Sequence, residues 1–433
     1  MGHVVKNERM HTSRRGLLWG AAGGAVAAAG LGLCPHRASA REAQVADAPE
    51  SDKARSSVPF SGKHQAGIVT PRPAAGMIAA FDVLAKSPEE VERLFRVLTE
   101  RCRFLAEGGT VPELDPKLPP ADSGILGPVI APDSLTVTVS LGASFFHDRE
   151  WLAPLKPARL QRMTKFRNDA LNADLCHGDL SLQICANTPD ATIHALRDVI
   201  KSLPDLMVIR WKQEGTVPIL PPRPDGASES ARNLLGFRDG SANPNSGDAT
   251  EMERVVWVGA DDGTEPRWTA DGTYQAVRII RNFVERWDRT PLAEQERIVG
   301  RRKASGAPFD GKTESDVPDF GRDPDGATTA MDSHIRLANP RNHGSEANLI
   351  LRRPFNYSNG VTKNGQLDQG LLFIAYQADL EAGFITVQKR LDGEPLEEYI
   401  KPVGGGYFFT LPGVRDAQDF LGRSLLEAAA ARS

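Results

Sequence analysis

The stretch Ala75-Gly-Met-Ile-Ala-Ala-Phe-Asp-Val-Leu84, with Ser87-Pro-Glu-Glu90 just after it, sets the pattern of the first half of the chain. The first segment is a short apolar run of the kind that predicts a buried strand. The second is a capping box with proline at the first helical position, so it predicts the start of a helix. Apolar residues then recur at helical spacing, and we expect this helix to end near Ala106.

The same alternation continues outward from this strand and helix. Two further strands are predicted over residues 135–141 and 179–186. A second helix should begin at Thr188-Pro-Asp-Ala-Thr, and residues 206–212 form a last apolar strand. The order strand, helix, strand, strand, helix, strand is the split βαβ, or ferredoxin-like, arrangement.

The second half is predicted to repeat this scheme after a proline-rich connection over residues 214–232. Its expected strands and helices are strands at 255–259, 274–280, 370–377 and 407–411, and helices from Thr290 and over 384–391. We therefore predict an α+β protein with two ferredoxin-like domains and antiparallel sheets, covering residues 61–218 and 219–433. Between the elements, residues 310–348 form a long charged stretch without a regular pattern, and such a loop is more often functional than idle.

The first forty residues carry the features of an export signal. Arg14-Arg15 precedes an uncharged segment, Gly16 to Leu33, and Ala38-Ser-Ala40 has the small-x-small form of a cleavage site. The alternative is a membrane anchor, since such a segment could just span a bilayer. Alanine and glycine contribute little to insertion, so we favour a cleaved twin-arginine signal over residues 1–40. A flexible leader over residues 41–60 and a periplasmic or other extracytoplasmic location are then expected.

Composition and charge indicate a globular protein that does not bind nucleic acid. Hydrophobic residues make up 40% of the chain and charged residues 25%. Removing five basic residues and Glu8 with the signal reduces 52 basic and 56 acidic residues to 47 and 55, a net charge of about −8. That surface leaves no basic footprint for nucleic acid. Cys102, Cys176 and Cys185 remain, which is neither a disulfide framework nor a zinc motif, and they are either one bridge or buried free thiols.

The stretch Asn233-Leu-Leu-Gly236-Phe-Arg-Asp239-Gly240-Ser-Ala-Asn-Pro244 is a glycine-bracketed turn that presents one carboxylate. Glycines at both ends allow tight backbone conformations or the close approach of a ligand. Small, turn-forming residues follow, so the chain stays thin beside Asp239. A lone Asp-Gly is usually an ordinary turn. A thin backbone beside a single acid is also what a flat cofactor requires.

A second group of residues lies about a hundred positions further on. His334 stands in Met331-Asp-Ser-His-Ile-Arg-Leu-Ala-Asn-Pro-Arg341, and Arg352-Arg353 follows eighteen residues after it. A lone histidine is usually a satisfied core or surface side chain. An arginine pair is usually solvated or ion-paired at the surface. Taken singly, neither indicates a function.

Taken together with Asp239, these residues resemble the dye-decolourising peroxidase family of haem proteins. Gly236-Phe-Arg-Asp239-Gly240 matches the GxxDG motif of that family, His334 its proximal haem ligand and Arg352 its distal arginine. The resemblance covers essentially the whole chain after the signal. It is closest to the exported deferrochelatase/peroxidase subgroup that accompanies iron-uptake systems.

The resemblance implies a dimeric α/β barrel type of fold with one haem b per chain, held mainly by the C-terminal domain. His334 would be the axial ligand of the iron, leaving the sixth position open for peroxide. Its other ring nitrogen should donate to an acceptor that fixes the tautomer. Acidic residues in the nearby sequence leave this acceptor open, and the candidates are Asp323, Asp325, Asp332, Glu397 and Glu398.

On the opposite face, Asp239 is expected to take a proton from hydrogen peroxide and return it to the departing oxygen. A carboxylate performs this task at lower pH than an imidazole does, so we expect an acidic pH optimum. Arg352 would stabilise the negative charge that develops as the O–O bond breaks. Arg353 should point the other way and be structural. Some family members have asparagine two residues after the distal arginine, where this chain has Pro354.

Further cofactor contacts follow from the resemblance. Arg341 is the best candidate to bind the haem propionates. The remaining residues expected to contact haem are Gly240, Ser241, Ala242, Asn339 and Pro340.

The function implied is a haem peroxidase that reduces hydrogen peroxide while oxidising organic donors by one electron. The subgroup links this activity to iron acquisition, in which iron leaves haem and the porphyrin stays intact. The alternative is an exported haem carrier without catalytic activity, which has no need for Asp239 and Arg352. Expected partners are peroxide, a reducing substrate, components of an iron-uptake system and a second copy in a homodimer. Trp257, Trp268 and Tyr357 could relay electrons, although each fits core or surface packing equally well.

Overall fold

The computed structural model describes residues 55–220 and 229–432. The predicted export signal and most of the predicted leader lie outside the described residues. In chain order, the strands are β1 (Ala75–Val83), β2 (Gly109–Thr110), β3 (Val129–Ile130), β4 (Thr136–Gly142), β5 (Leu180–Ala186), β6 (Met207–Thr216), β7 (Thr273–Asn282), β8 (Leu351–Arg352), β9 (Phe355–Val361), β10 (Leu367–Gln377) and β11 (Ile400–Thr410). The α-helices are α1 (Pro88–Glu107), α2 (Ala143–His147), α3 (Pro189–Ser202), α4 (Ala249–Val255), α5 (Val284–Trp287), α6 (Leu292–Val299), α7 (His334–Ala338), α8 (Thr386–Arg390) and α9 (Arg423–Ala430).

The first half has the predicted ferredoxin-like topology. Its strands lie in the order β4-β5-β1-β6, all antiparallel. The capping box of α1 is present, because the Ser87 side chain accepts from the N–H of Glu90 and the Glu90 side chain accepts from the N–H of Ser87. Thr188 caps α3 by accepting from the N–H of Ala191. Apolar side chains on one face of α1 are buried against the sheet, as the spacing predicts.

The second half repeats the order as β11-β7-β10-β9. Strand β7 pairs with β11 on one side and with β10 on the other. The two halves join because β11 pairs with β4, and β6 pairs with β9 at Thr216 and Asn356. The strand ladder therefore closes on itself through eight strands. These observations confirm the α+β fold class, while the division at residue 218 stays a prediction because the sheet runs through both halves.

Two local predictions in the second half were wrong, and strand β9 was missed. Residues 255–259 are not a strand: Asp248 caps helix α4 by accepting from the N–H groups of Thr250 and Glu251, and Val255 ends that helix. Thr290 does not cap α6, since its hydroxyl is 3.2 Å from the carbonyl of Arg286 and the helix begins at Leu292. Strand β9 was not predicted, because its residues after Tyr357 are polar or glycine and lack the alternation of a half-buried strand.

The long charged stretch, residues 310–348, is ordered by local hydrogen bonds. Asp323 accepts from the N–H groups of Thr328 and Thr329 and pairs with Arg336 at 3.0 Å. This stretch contains the short helix α7, which begins at His334. A loop built in this way can present side chains to a site in fixed positions.

Two further findings concern the sequence predictions. Cys102, Cys176 and Cys185 are buried and unbridged, which is the second of the two interpretations that their number allowed. None of the helices among the described residues is both long and apolar enough to cross a membrane.

Candidate functional site

A deep cleft with about 1960 Å³ of atom-free space, part of it open to solvent, lies in the second half. The turn at residues 233–242, helix α7, strands β7 and β10 and helix α8 supply about half of its lining residues. Of the described residues in the first half, Asn168 alone lines the cleft. Seven of the predicted site residues line the cleft: Asp239, Ser241, Ala242, His334, Asn339, Arg341 and Arg352. Gly240 and Pro340 were also predicted contacts, but they do not line it.

His334 stands at the start of α7 with its ring facing the cleft. Its Nδ1 lies 2.7 Å from Oε2 of Glu394, whose side chain is only 3% exposed. The carboxylate is an acceptor, so Nδ1 carries the proton and Nε2 is left with a lone pair that can bind a metal. The arrangement is that of a histidine prepared as an axial ligand.

Glu394 is not among the five candidate acceptors. Asp323 pairs with Arg336, Asp332 pairs with Arg297 at 3.1 Å, and Glu397 accepts from the N–H of Gly393. Asp325 is exposed, and Glu398 lies 3.7 Å from Arg286. Glu394 lies sixty positions from His334, in a turn between Gly393 and Pro395, and no spacing in the sequence connects the two.

The electrostatics around His334 make its ring more basic than that of an ordinary histidine. Burial lowers the pKa of His334, but the negative charge and hydrogen bond of Glu394 outweigh burial, and the pKa is raised above its usual value. The charge of Arg352 lowers this pKa and that of Asp239 raises it. A metal ion at Nε2 would take the place of the proton.

Asp239 and Arg352 come together in the same cleft. Nη1 of Arg352 donates to Oδ1 of Asp239 over 2.6 Å. The Asp239 side chain is 11% exposed and that of Arg352 is 27% exposed, so both still reach the space of the cleft. An acid, a permanent cation and an imidazole thus meet around one space, although more than a hundred residues separate Asp239 from Arg352.

The turn that carries Asp239 is held by its own side chains. Oδ1 of Asn233 accepts from the N–H groups of Leu235 and Phe237, at 3.1 and 3.2 Å. Gly236 has φ of 85°, a conformation that favours glycine. A Cβ at Gly240 would lie 2.5 Å from Oγ of Ser230, so the backbone approach there also requires glycine. Both glycines of the motif are explained by geometry.

Glu314, from the long charged stretch, is hydrogen-bonded to this turn and to the chain just before it. Its Oε1 accepts from the hydroxyl of Ser241 at 3.1 Å, and its Oε2 accepts from the N–H of Ser230 at 3.2 Å. Nothing in the sequence singles out Glu314, because it is one of many acidic residues in a stretch without periodicity.

Two arginines that line the cleft, Arg341 and Arg301, form no ion pair with any described residue. The guanidinium of Arg341 makes no hydrogen bond or ion pair with any described residue, and the backbone of Arg341 has φ of 53°. Arg301 is 5% exposed and donates only to the carbonyls of Gly306 and Glu314. Burial lowers the pKa of both arginines, and the charge of Arg341 adds to the effect on Arg301. A ligand with carboxylate groups would relieve this repulsion.

These features fit a haem. The walls of the cleft are largely apolar, as a porphyrin requires. The apolar lining includes Leu235, Phe237, Ile280, Ile335, Leu371, Phe373, Phe384 and Val387. His334 offers one nitrogen ligand, and Arg341 and Arg301 offer cations for the propionates.

Four other residues singled out in the sequence lie away from the cleft. Arg353 is 6% exposed and donates to the backbone carbonyls of Thr70 and Pro71, so it is structural as expected. Trp257, Trp268 and Tyr357 are buried in the core. Trp257 stacks on the ring of His64 with 3.7 Å between centroids. Their packing alone accounts for them.

Comparison with known proteins gives a consistent result. The sequence model for the N-terminal part of the Dyp-type peroxidases matches residues 65–216, and the model for the C-terminal part matches residues 230–415. Over 428 residues, the chain is 58% identical to a deferrochelatase of Escherichia coli O6:K15:H31, which covers 98% of this chain and 100% of that protein. A deferrochelatase of Shigella flexneri is also 58% identical, over 99% of this chain and 100% of its own.

Solved structures agree with the sequence comparison. A DyP-type peroxidase from Cellulomonas bogoriensis is similar with a TM-score of 0.76 and 34% identity, over 87% of this chain and 99% of that one. Ferric DtpA from Streptomyces lividans is similar with a TM-score of 0.77 and 33% identity, over 88% and 99% of the two chains.

Proposed function

This chain belongs to the Dyp-type peroxidase family, and we propose that its cleft activates hydrogen peroxide through Asp239 and Arg352, with haem held by His334. The reaction is the reduction of peroxide to two water molecules by two protons and two electrons. One-electron oxidation of two donor molecules supplies the electrons.

The observation that carries this proposal is the pairing of Asp239 and Arg352 in the same cleft that His334 lines. A protein that only carries haem has no use for such a paired acid and cation beside the cofactor. A peroxidase needs both, because one proton must move between the two oxygens of peroxide while negative charge develops on the departing one. The carrier hypothesis is therefore not favoured.

Bound haem supplies the iron centre at which peroxide is reduced. Oδ1 of Asp239 is engaged by Arg352, and Oδ2 has no hydrogen-bond partner among the described residues, so Oδ2 is the atom that takes the proton. Arg352 orients the Asp239 carboxylate, and its charge stabilises the departing oxygen. The same carboxyl then returns the proton, which leaves Asp239 ready for the next cycle.

Glu394 accepts a hydrogen bond from Nδ1–H of His334, which makes Nε2 a stronger donor to a bound metal. Arg341, whose guanidinium has no partner among the described residues, would bind a propionate. His334 and Arg341 are thus the residues that would hold a haem in the cleft.

The 58% identical relatives named deferrochelatase support a second activity at the same site, the release of iron from haem. In that reaction iron leaves and two protons replace it on the pyrrole nitrogens. We further propose that the protein is exported through the twin-arginine route and acts in the periplasm with iron-uptake components as a homodimer. The arginine pair and cleavage motif in the first forty residues support export.

The test uses the full-length mature protein reconstituted with hemin. We expect a Soret band, peroxide-dependent oxidation of an organic donor, and loss of haem occupancy in H334A. The deferrochelatase part is tested by porphyrin fluorescence and iron capture by a chelator. A protein with a full Soret band but no donor oxidation would contradict the peroxidase proposal. Donor oxidation without the appearance of metal-free porphyrin would contradict the proposed iron release but not the peroxidase activity.

A further inference from the structure

The backbone N–H and C=O of Arg352 are not satisfied by the sheet. Strand β8 consists of Leu351 and Arg352 and pairs with β10 alone. Arg352 lies opposite Ala375, and the neighbouring N–H of Arg353 donates to the carbonyl of Ile374 at 2.8 Å. In an antiparallel pair the groups of adjacent residues alternate in direction, so the N–H and C=O of Arg352 point away from β10.

The side chain of Asn243 occupies that outer edge. Its Oδ1 accepts from the N–H of Arg352 at 2.8 Å, and its Nδ2 donates to the carbonyl of Arg352 at 2.9 Å. The amide therefore replaces a neighbouring strand and satisfies both groups at once. Among the natural side chains, only an amide carries this donor and acceptor side by side.

Asn243 is itself fixed to the turn that carries Asp239. Its N–H donates to the carbonyl of Gly240 at 3.0 Å, and Pro244 restrains the chain that follows. The turn and Arg352 are thus joined twice: by the ion pair of Asp239 with the guanidinium, and by Asn243 with the backbone. The second link does not depend on charge and holds the base of the Arg352 side chain.

We propose that Asn243 is a positioning residue for peroxide activation, holding Arg352 in register with Asp239. This inference rests on the proposed function, because Arg352 is the group through which Asn243 acts. A displacement of about 1 Å in a reacting group can cost about a hundredfold in rate. We expect N243A to lower the second-order rate constant for peroxide about 10- to 100-fold at unchanged haem occupancy.

Three variants separate positioning from a general loss of structure. N243D keeps the size and one acceptor but sets a carboxylate oxygen against the Arg352 carbonyl, so we expect a loss at least as large as that of N243A. Asn245 lies two residues further on, and among the described residues its side chain accepts only from the N–H of Gly247, so N245A should stay within twofold of the wild type. The decisive variant is the double mutant N243A/R352L. Once the guanidinium is gone, N243A should change the peroxide rate by less than twofold.

A second readout does not depend on the reaction. In the full chain, hydrogen exchange of the peptide containing Arg352 should accelerate in N243A and stay slow in R352L, because R352L removes only the side chain. Equal rate losses from N243A in the wild-type and R352L backgrounds would overturn the inference, as would an unchanged peroxide rate. If the wild type itself failed to react with peroxide, the proposed function would fail, while hydrogen exchange would still report on the contact. N243D replaces N243A in each comparison if N243A does not fold.

Discussion

Among the described residues, Glu394 is the one hydrogen-bond partner of the His334 ring, and it contacts Nδ1. A hydrogen-bonded carboxylate raises the basicity of an imidazole and so strengthens its bond to iron. The contact is well sheltered, because the Glu394 side chain is 3% exposed.

We therefore expect E394Q to bind hemin about 10- to 100-fold more weakly than the wild type, the range found for partners of metal-bound histidines. Glutamine keeps the shape but offers a weaker, neutral acceptor. Hemin titration followed by Soret absorbance measures the effect. E398Q, which alters a nearby acid that is 60% exposed and lies beside Arg286, is the control and should bind as the wild type does.

The raised pKa of His334 predicts how hemin uptake depends on pH. Iron and a proton compete for the same ring, so uptake should weaken as pH falls below the pKa of His334 in the haem-free protein. Since Glu394 raises that pKa, E394Q should begin to lose affinity at a lower pH than the wild type. Hemin titrations of the wild type and E394Q from pH 5 to pH 8 give hemin affinity as a function of pH for each protein. Coincident curves would show that Glu394 does not control the pKa of His334.

Arg341 should contribute to haem affinity through one propionate. Removing a charge-assisted hydrogen bond costs about 1.5–3 kcal/mol, so R341L should bind hemin roughly 10- to 100-fold more weakly. R322L is a matched control, because Arg322 lies in the same long stretch, is 89% exposed and faces solvent. Equal affinities for R341L and R322L would assign the propionates to other groups.

Among the helices and strands, the sequence predicted those that are marked by apolar periodicity or by a capping residue. Helix α1 and strands β1, β4 and β5 lie where the apolar runs and the capping box of Ser87 placed them. Helix α4 was missed because a valine-rich run resembles a strand, while the cap of Asp248 uses hydrogen bonds that periodicity does not register. Asp239, His334 and Arg352 were found through motifs. Glu394, Glu314 and Asn243 were missed as site residues because only tertiary contacts bring them to the site.

The pairing of β7 with β10 can be tested at Gly370. A Cβ there would lie 1.9 Å from the backbone carbonyl oxygen of Ile280, which cannot move without disturbing the ladder. Overpacking of this kind costs about 1–3 kcal/mol, and we expect G370A to lower the unfolding free energy by at least that much. At Gly259 a Cβ would meet no atom within 4 Å, so G259A is the control and should be near neutral in denaturant unfolding.

For the whole molecule, the closed ladder explains why a cleft in the second half depends on the first. Strand β7 supplies cleft-lining residues and is also held by a buried ion pair between Arg278 and Asp169, which precedes β5. Asn168, next to Asp169, reaches the cleft itself. The family match accordingly spans both halves, and the site belongs to the complete strand ladder.

The most direct test of peroxide activation in this cleft is the second-order rate constant for hydrogen peroxide, measured by stopped flow at equal haem content. We expect D239N to lower it about 10²- to 10⁴-fold, the range for loss of a general acid–base group. R352L should lower it about 10²- to 10³-fold, as loss of a group that stabilises developing charge does. Both variants should keep their Soret bands. Rate constants within threefold of the wild type in both variants would contradict the claim that Asp239 and Arg352 activate peroxide.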